Sequence, residues 1–239
     1  MAKFAKWIAG GLGWAFFGPI GGLLGFAIGT MIDGAQITNN QTTSVTTKGD
    51  FVVSLLVLVA AVMKADGKIL KSELDYVKDY FVKSFGKQTA VEALRMLREL
   101  IGKNIPVEDV SNQIKTNLDY SSRLQLLHFL FGIANADGKL HPSELNLIDR
   151  ITVTMGINSK DYESIKAMFA GDTRGAYKIM EIDPSASDDE VKKAYRKMAL
   201  KYHPDKVSYL GEEVQAAANE KFKKLNEAYD VIKKERGMA

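Results

Sequence analysis

The sequence contains no cysteine. That excludes a disulfide scaffold, a thiol nucleophile, an iron–sulfur cluster and every cysteine-ligated zinc site, and it fits a reducing compartment. Histidine is scarce, with three in 239 residues, so zinc held by histidine is not expected either. No convincing stretch shows the apolar–polar alternation of a half-buried strand. Neither sign of charge dominates: 32 Lys+Arg stand against 29 Asp+Glu, a net +3 that argues for no nucleic-acid partner by itself. A nucleophile–base constellation, a phosphate loop and a metal triad are all missing, so an enzyme is not expected. What is there is 46% hydrophobic and 26% charged, which has too much apolar mass for a disordered chain.

These averages conceal three unlike regions. Between Lys6 and Asp33 lie 26 uncharged residues, eight of them glycine. As one helix this stretch would run about 39 Å, longer than the roughly 30 Å hydrocarbon core of a bilayer. Gly21, Gly25 and Gly29 recur every fourth residue, a groove through which helices approach and self-associate. Residues 1–34 are therefore expected to be a membrane anchor, and 35–49, polar and short-chained, a linker.

Residues 50–172 are expected to form a bundle of about seven helices. Phe51–Met63 is apolar all round, a central buried helix too short to cross a membrane. Leu74, Val77, Tyr80, Phe81 and Phe85 form one helical stripe, and Val91, Leu94, Leu97 and Ile101 another. The bundle carries an internal repeat: ADGKILKSEL at 65–74 returns as ADGKLHPSEL at 136–145, 71 residues later. In each copy an apolar helix runs into Asp-Gly and a new helix begins at Ser, so two similar halves are expected to pack together. His128 sits in an apolar helix as a core residue, and His141 in an exposed turn.

Residues 173–239 read as a short helix and an antiparallel helical hairpin. Val191, Ala194, Tyr195, Met198 and Tyr202 form the inner stripe of one arm; Phe222, Leu225, Ala228, Tyr229 and Ile232 form that of the other. The opposite face of the first arm presents Lys192, Lys193, Arg196, Lys197 and Lys201 as a basic ridge. It leads to His203-Pro204-Asp205. Pro204 pushes His203 out of the helical region and fixes its own φ, so the arm stops there and the corner is stiff. Asp205 is then expected to point outward, where a carboxylate accepts a bidentate arginine. Taken alone, the tripeptide reads as an ordinary turn, with Asp a favoured turn residue.

Its surroundings make it more. YKIMEIDPSASDDEVKKAY, AYRKMALKYHPDK and EKFKKLNEAYDVI together resemble the DnaJ (J-domain) family over about 60 residues. The resemblance implies an all-α fold and a partner, a DnaK-type 70-kDa heat-shock chaperone, whose ATP hydrolysis the chain stimulates. By position, His203, Pro204 and Asp205 would be the trigger, and Lys192, Tyr195, Arg196, Lys197 and Lys206 would lie on or beside the docking helix, Tyr195 more as core than as contact. No Gly/Phe-rich linker, zinc module or client-binding domain follows. The ridge does not suggest nucleic acid, because 175–239 holds 13 Lys+Arg against 12 Asp+Glu.

The repeat resembles the TerB-like (tellurite-resistance) helical domain, and the domain order resembles the membrane-anchored, DjlA-like branch of J proteins. The TerB-like resemblance implies an acidic site in which Asp66, Glu73, Asp137 and Glu144 would hold a hard divalent cation. Helix capping is the preferred reading: Gly67 and Gly138 suit left-handed helix ends, Ser72 and Ser143 suit N-caps, and Glu73 and Glu144 suit the first-turn dipole. No cofactor is then needed. The expected protein is a cytoplasm-facing co-chaperone associated with the inner membrane. The alternative is a stress-response or ion-binding protein in which the bundle is primary. Lys3 and Lys6 favour a cytoplasmic amino terminus, so a single span would export the J domain. Three arrangements would keep it inside: an orientation that overrides this small charge bias, a shallow hairpin broken at Gly18-Pro19, or burial in a protein oligomer instead of lipid.

Overall fold

Phe51 to Met63 offers no polar face, and a helix of this kind lowers its free energy only by being surrounded. The computed structural model, which describes residues 19–20, 48–169 and 175–238, places it so. Helix α1 (Lys48–Met63) has every residue from Phe51 onward buried, each large apolar side chain contributing about 1.5–3 kcal/mol. Around it pack α2 (Lys71–Ile101), α3 (Val107–Asn117), α4 (Tyr120–Ala134) and α5 (Pro142–Thr154), with α6 (Ser159–Ala167) against α4. Two helices expected as separate run together in α2, which bends at Gly86. Its φ of 81° is a left-handed value that glycine takes without a Cβ clash. Six elements thus supply seven rods.

The stripe after this bend differs from expectation. Val91 is 68% exposed, while Ala90, Ala93, Met96, Leu97 and Leu100 face the core. Those five also recur at three- and four-residue spacing, and small alanines let the rod approach α1 closely.

The remaining chain forms α7 (Gly175–Ile179), α8 (Asp188–Lys201), a 3₁₀ turn (Pro204–Leu210) and α9 (Glu212–Arg236). Among the described residues there are nine α-helices, one 3₁₀ helix and no strand: the fold is all-α. Ser187 caps α8, accepting from Glu190 N while Glu190 Oε2 accepts from Ser187 N at 2.7 Å. Val191 and Met198 on α8, Tyr202 just after it, and Leu225, Ala228 and Ile232 on α9 are buried, all of them positions of the expected inner stripes. Arg236 closes the module. It donates to Tyr177 Oη (3.0 Å), Pro184 O (2.6 Å) and Ala186 O (2.5 Å), tying the α7–α8 loop to the end of α9.

The hairpin module is seated on the bundle: α7 packs on α6, α9 on α2, and the 3₁₀ turn on α1 and α4. The expected anchor at 1–34 and linker at 35–49 lie outside the described residues, apart from Pro19, Ile20 and the start of α1. Ile20 is buried, and its N–H donates to Gln113 Oε1 on α3. Among the described residues no helix is long and apolar enough to cross a membrane.

Candidate functional site

Helix α8 ends because Pro204 cannot continue it, and His203 takes an extended ψ of 130°. The segment beyond is a tight 3₁₀ turn, Pro204–Leu210. Pro204, Val207 and Leu210 point inward and are buried, so the turn is held by its own apolar side. The other side is open: the side chain of His203 is 48% and that of Asp205 70% exposed. The backbone N–H of Asp205 donates to His203 Nδ1 at 3.3 Å, and the imidazole stands edge-on to Phe222. Gln215, in the first turns of α9, donates to Asp205 Oδ1 at 2.7 Å. One carboxylate oxygen is thereby fixed, and Oδ2 lies 3.5 Å from His203 Nδ1. Nothing local in the sequence signals Gln215; it comes into reach through the turn and the positive φ of Gly211 (108°) at the start of α9.

The ridge is real but shorter than expected. Lys193, Arg196 and Lys197 are exposed and Lys192 is half-buried, its carbonyl 3.4 Å from Arg196 Nε. Leu200, 70% exposed, extends the same face toward the turn, an apolar spot that the charge pattern did not signal. Lys206 is exposed beside Asp205. Tyr195 points the other way. Its ring stacks on Tyr229 at 4.2 Å, and its hydroxyl donates to Asn226 Oδ1 at 3.0 Å, inside the hairpin.

Lys201 leaves the ridge altogether. Its ammonium lies 2.5 Å from Asp161 Oδ1 and 2.7 Å from Glu181 Oε1. Asp161, on α6, is fully buried, and its Oδ2 accepts from Tyr120 Oη (2.6 Å) and Asn158 Nδ2 (2.7 Å). Burial alone would raise this carboxyl, but the hydrogen bonds from Lys201 and Tyr120 outweigh it and hold Asp161 below the usual range. Burial likewise opposes the charge on Lys201, and its two carboxylate partners keep it protonated above the ordinary lysine value. Glu181 adopts a left-handed backbone (φ 55°), uncommon for a residue with a Cβ.

The second motif, the repeat, closes on itself. Gly67 and Gly138 take φ of 79° and 81°, the left-handed values expected of them. Asp66 and Asp137 each accept from the N–H two residues on, Lys68 at 2.8 Å and Lys139 at 2.9 Å, which is a local Asx turn. The helices begin one residue before Ser72 and Ser143, so neither serine is the cap. Instead Glu73 Oε2 accepts from Leu70 N (2.9 Å) and Glu144 Oε2 from His141 N (3.3 Å). Each glutamate reaches back from the first turn to the residue where its helix starts. Both are buried, at 4% and 2% exposure, and their carboxyls are hydrogen-bonded to each other. Burial, that hydrogen bond and the charge of Glu73 push Glu144 up to about 8, and burial raises Glu73 as well. Two carboxyls in one buried site oppose each other's ionisation. Among the described residues no group of three or more His, Asp or Glu is arranged to hold a metal ion. His128 is buried, as expected, and His141, expected to be exposed, is half-buried, 3.5 Å from Asp137.

Comparison with known proteins matches three segments of the chain. The family model for the tellurite resistance protein TerB matches residues 53–167, that for the DnaJ domain residues 175–237, and that for the transmembrane domain of the co-chaperone DjlA residues 1–42. Among curated relatives, the co-chaperone protein DjlA of Vibrio vulnificus is 30% identical over 231 residues, covering 79% of this chain and 79% of its own. That of Photobacterium profundum is 26% identical over 229 residues, covering 83% and 82%. The chaperone protein DnaJ of Fusobacterium nucleatum is 49% identical over 59 residues, 25% of this chain and 15% of its own. No solved structure matches. A J-type hairpin with an open His-Pro-Asp turn, carried on a TerB-like bundle and matched over 79% of the chain by a relative 30% identical to it, places the chain in the DjlA family of co-chaperones.

Proposed function

We propose that this protein docks on a DnaK-type 70-kDa heat-shock chaperone through the ridge of α8 and the His-Pro-Asp turn, and stimulates that partner's ATP hydrolysis. The observation that carries this reading is the open side of the 3₁₀ turn. Asp205 offers a largely exposed carboxylate, oriented by Gln215, at the end of a row formed by Lys193, Arg196, Lys197 and Leu200. Each group has a distinct task. The cations steer an acidic partner surface into register and speed the encounter. Leu200 gives the encounter an apolar contact. The Asp205 carboxylate, fixed at Oδ1 and open at Oδ2, accepts an arginine from the partner. His203, braced against Phe222, keeps the turn from collapsing into α9. All bond making and breaking occurs on the nucleotide in the partner; this chain biases the partner's conformation by binding one state better than the other.

The match of residues 1–42 to a transmembrane-domain family supports a further reading: the amino-terminal segment tethers the protein to the inner membrane, with bundle and hairpin in the cytoplasm. In this reading the four repeat carboxylates act as helix caps and turn closures, each accepting from a backbone N–H.

The test is steady-state ATP hydrolysis by a DnaK-type chaperone titrated with the full chain. Wild type stimulates; Asp205→Asn, which keeps the shape and the Gln215 contact but halves the acceptor capacity and removes the charge, does not. Equal stimulation by both rejects the reading. Carbonate extraction of membranes tests the tether, which complete release into the supernatant would exclude.

A further inference from the structure

The ridge faces outward, yet the residues that flank His203-Pro204-Asp205 on either side face the bundle. Lys201, two positions before His203, is paired with buried Asp161 of α6 and with Glu181. Tyr202, 2% exposed, places its hydroxyl 3.3 Å from Ser164 Oγ on α6. Four positions after Asp205, Tyr209 Oη lies 2.7 Å from the Oγ of Ser122, a fully buried residue of α4. The turn is therefore gripped at both ends by the bundle. The grip is not that of a surface ion pair, whose long side chains hold no fixed geometry. Asp161 is desolvated and receives hydrogen bonds from Lys201, Tyr120 and Asn158, an arrangement with one low-energy geometry.

The grip also leaves the docking groups uncovered. Lys193, Arg196, Lys197, Leu200 and Asp205 are all exposed while these contacts are made. The bundle thus constrains the turn without masking it. We infer that Lys201, Asp161, Tyr209 and Ser122 are positioning residues: the TerB-like bundle sets the angle at which the trigger is presented relative to the ridge, and so sets the stimulation reached once the partner is bound. The inference rests on the co-chaperone reading above and deepens it, giving the bundle a part in the activity through residues that never touch the partner.

The experiment is the same ATPase titration with the full chain, comparing wild type with Lys201→Met, Lys201→Arg and Tyr209→Phe. Lys201→Met is expected to lower the maximal stimulation by about threefold or more, with the half-saturating concentration within about twofold of wild type. Lys201→Arg, which keeps charge and reach, restores most of it. Tyr209→Phe removes a single hydroxyl from an exposed ring, leaves folding intact, and shifts the maximum in the same direction by less; it carries the test if Lys201→Met does not fold. An unchanged maximum in the folded variants, equal impairment by Met and Arg, or an effect on half-saturation alone overturns the inference. Stimulation by wild type with no effect of the variants rejects positioning only. No stimulation by wild type rejects the co-chaperone reading, and positioning with it.

Discussion

Two short acidic turns punctuate this chain, and they have opposite fates. In the repeat the glutamates turn inward: both are buried and accept from backbone N–H groups, while the aspartates, at exposed Asp-Gly corners, accept from the N–H two residues on. At the hairpin corner, His-Pro-Asp presents Asp205 with most of its side chain in solvent. The chemistry of the groups is the same. What differs is which side of the turn is apolar. After Asp205, Val207 and Leu210 anchor the inner side and leave the carboxylate out. In the repeat, the glutamates of the two copies face each other, so each carboxyl is buried beside the other. A motif becomes a binding site when its polar groups are left partly unsatisfied and reachable. It becomes structure when a symmetric partner satisfies them.

The sharpest way to break this comparison is to remove one member of the buried pair. Glu73→Ala strips the cap from Leu70 N–H and leaves the Glu144 carboxyl without its partner in a site with almost no water. It is expected to cost about 2–4 kcal/mol in urea unfolding. Glu73→Gln keeps the reach-back to Leu70 and can donate to Glu144, so it should cost less than half as much. Equal losses would mean that the pair is incidental. The converse prediction concerns the outward motif. Reversing Arg196 and Lys197 to Glu should raise the concentration of this protein needed for half-maximal stimulation about tenfold at low salt, and less at high salt. Unfolding stability should stay within about 0.5 kcal/mol of wild type. An unchanged half-saturation point would remove the ridge from the docking surface.

How much of this was legible follows from the range of each interaction. The stop at His203, the stiff corner and the two-copy repeat rest on local rules, proline geometry and sequence identity, and the structure has them where the sequence places them. The inner stripes of α8 and α9 follow the helical period. Lys201 was not legible: four residues after Lys197, it continues the ridge by spacing, and Asp161, 40 residues earlier, together with Glu181, 20 residues earlier, draws it inward. Gln215 and the Tyr209–Ser122 contact are equally long-range in cause. Val91 misled because a β-branched residue at the right interval outweighed the small alanines that in fact face α1. Ser72 and Ser143 misled in a subtler way. They are good cap residues, but the glutamates one position on reach further and take the start of each helix.

A last prediction sharpens the contrast between the outward cations and one that is turned in. Lys221, on α9, is 4% exposed, with its ammonium 4.8 Å from the centre of the Tyr202 ring. Burial pushes it from 10.5 down to about 7, with the charge of Asp161 acting the other way. Below pH 7 both the folded and unfolded chains carry this proton, and the folded chain bears the cost of a buried charge. Between pH 7 and 10.5 the unfolded chain keeps the proton and the folded chain sheds it, so the unfolded state binds more protons and Lys221 costs progressively less as pH rises. Lys221→Met keeps the stem's packing and removes the charge. It should therefore raise the melting temperature by about 2–4 °C at pH 6.5, with the advantage shrinking at pH 9. An advantage equal at both values would show that packing, and not the buried charge, separates the two side chains, and that the inward cation is as well accommodated as those of the ridge.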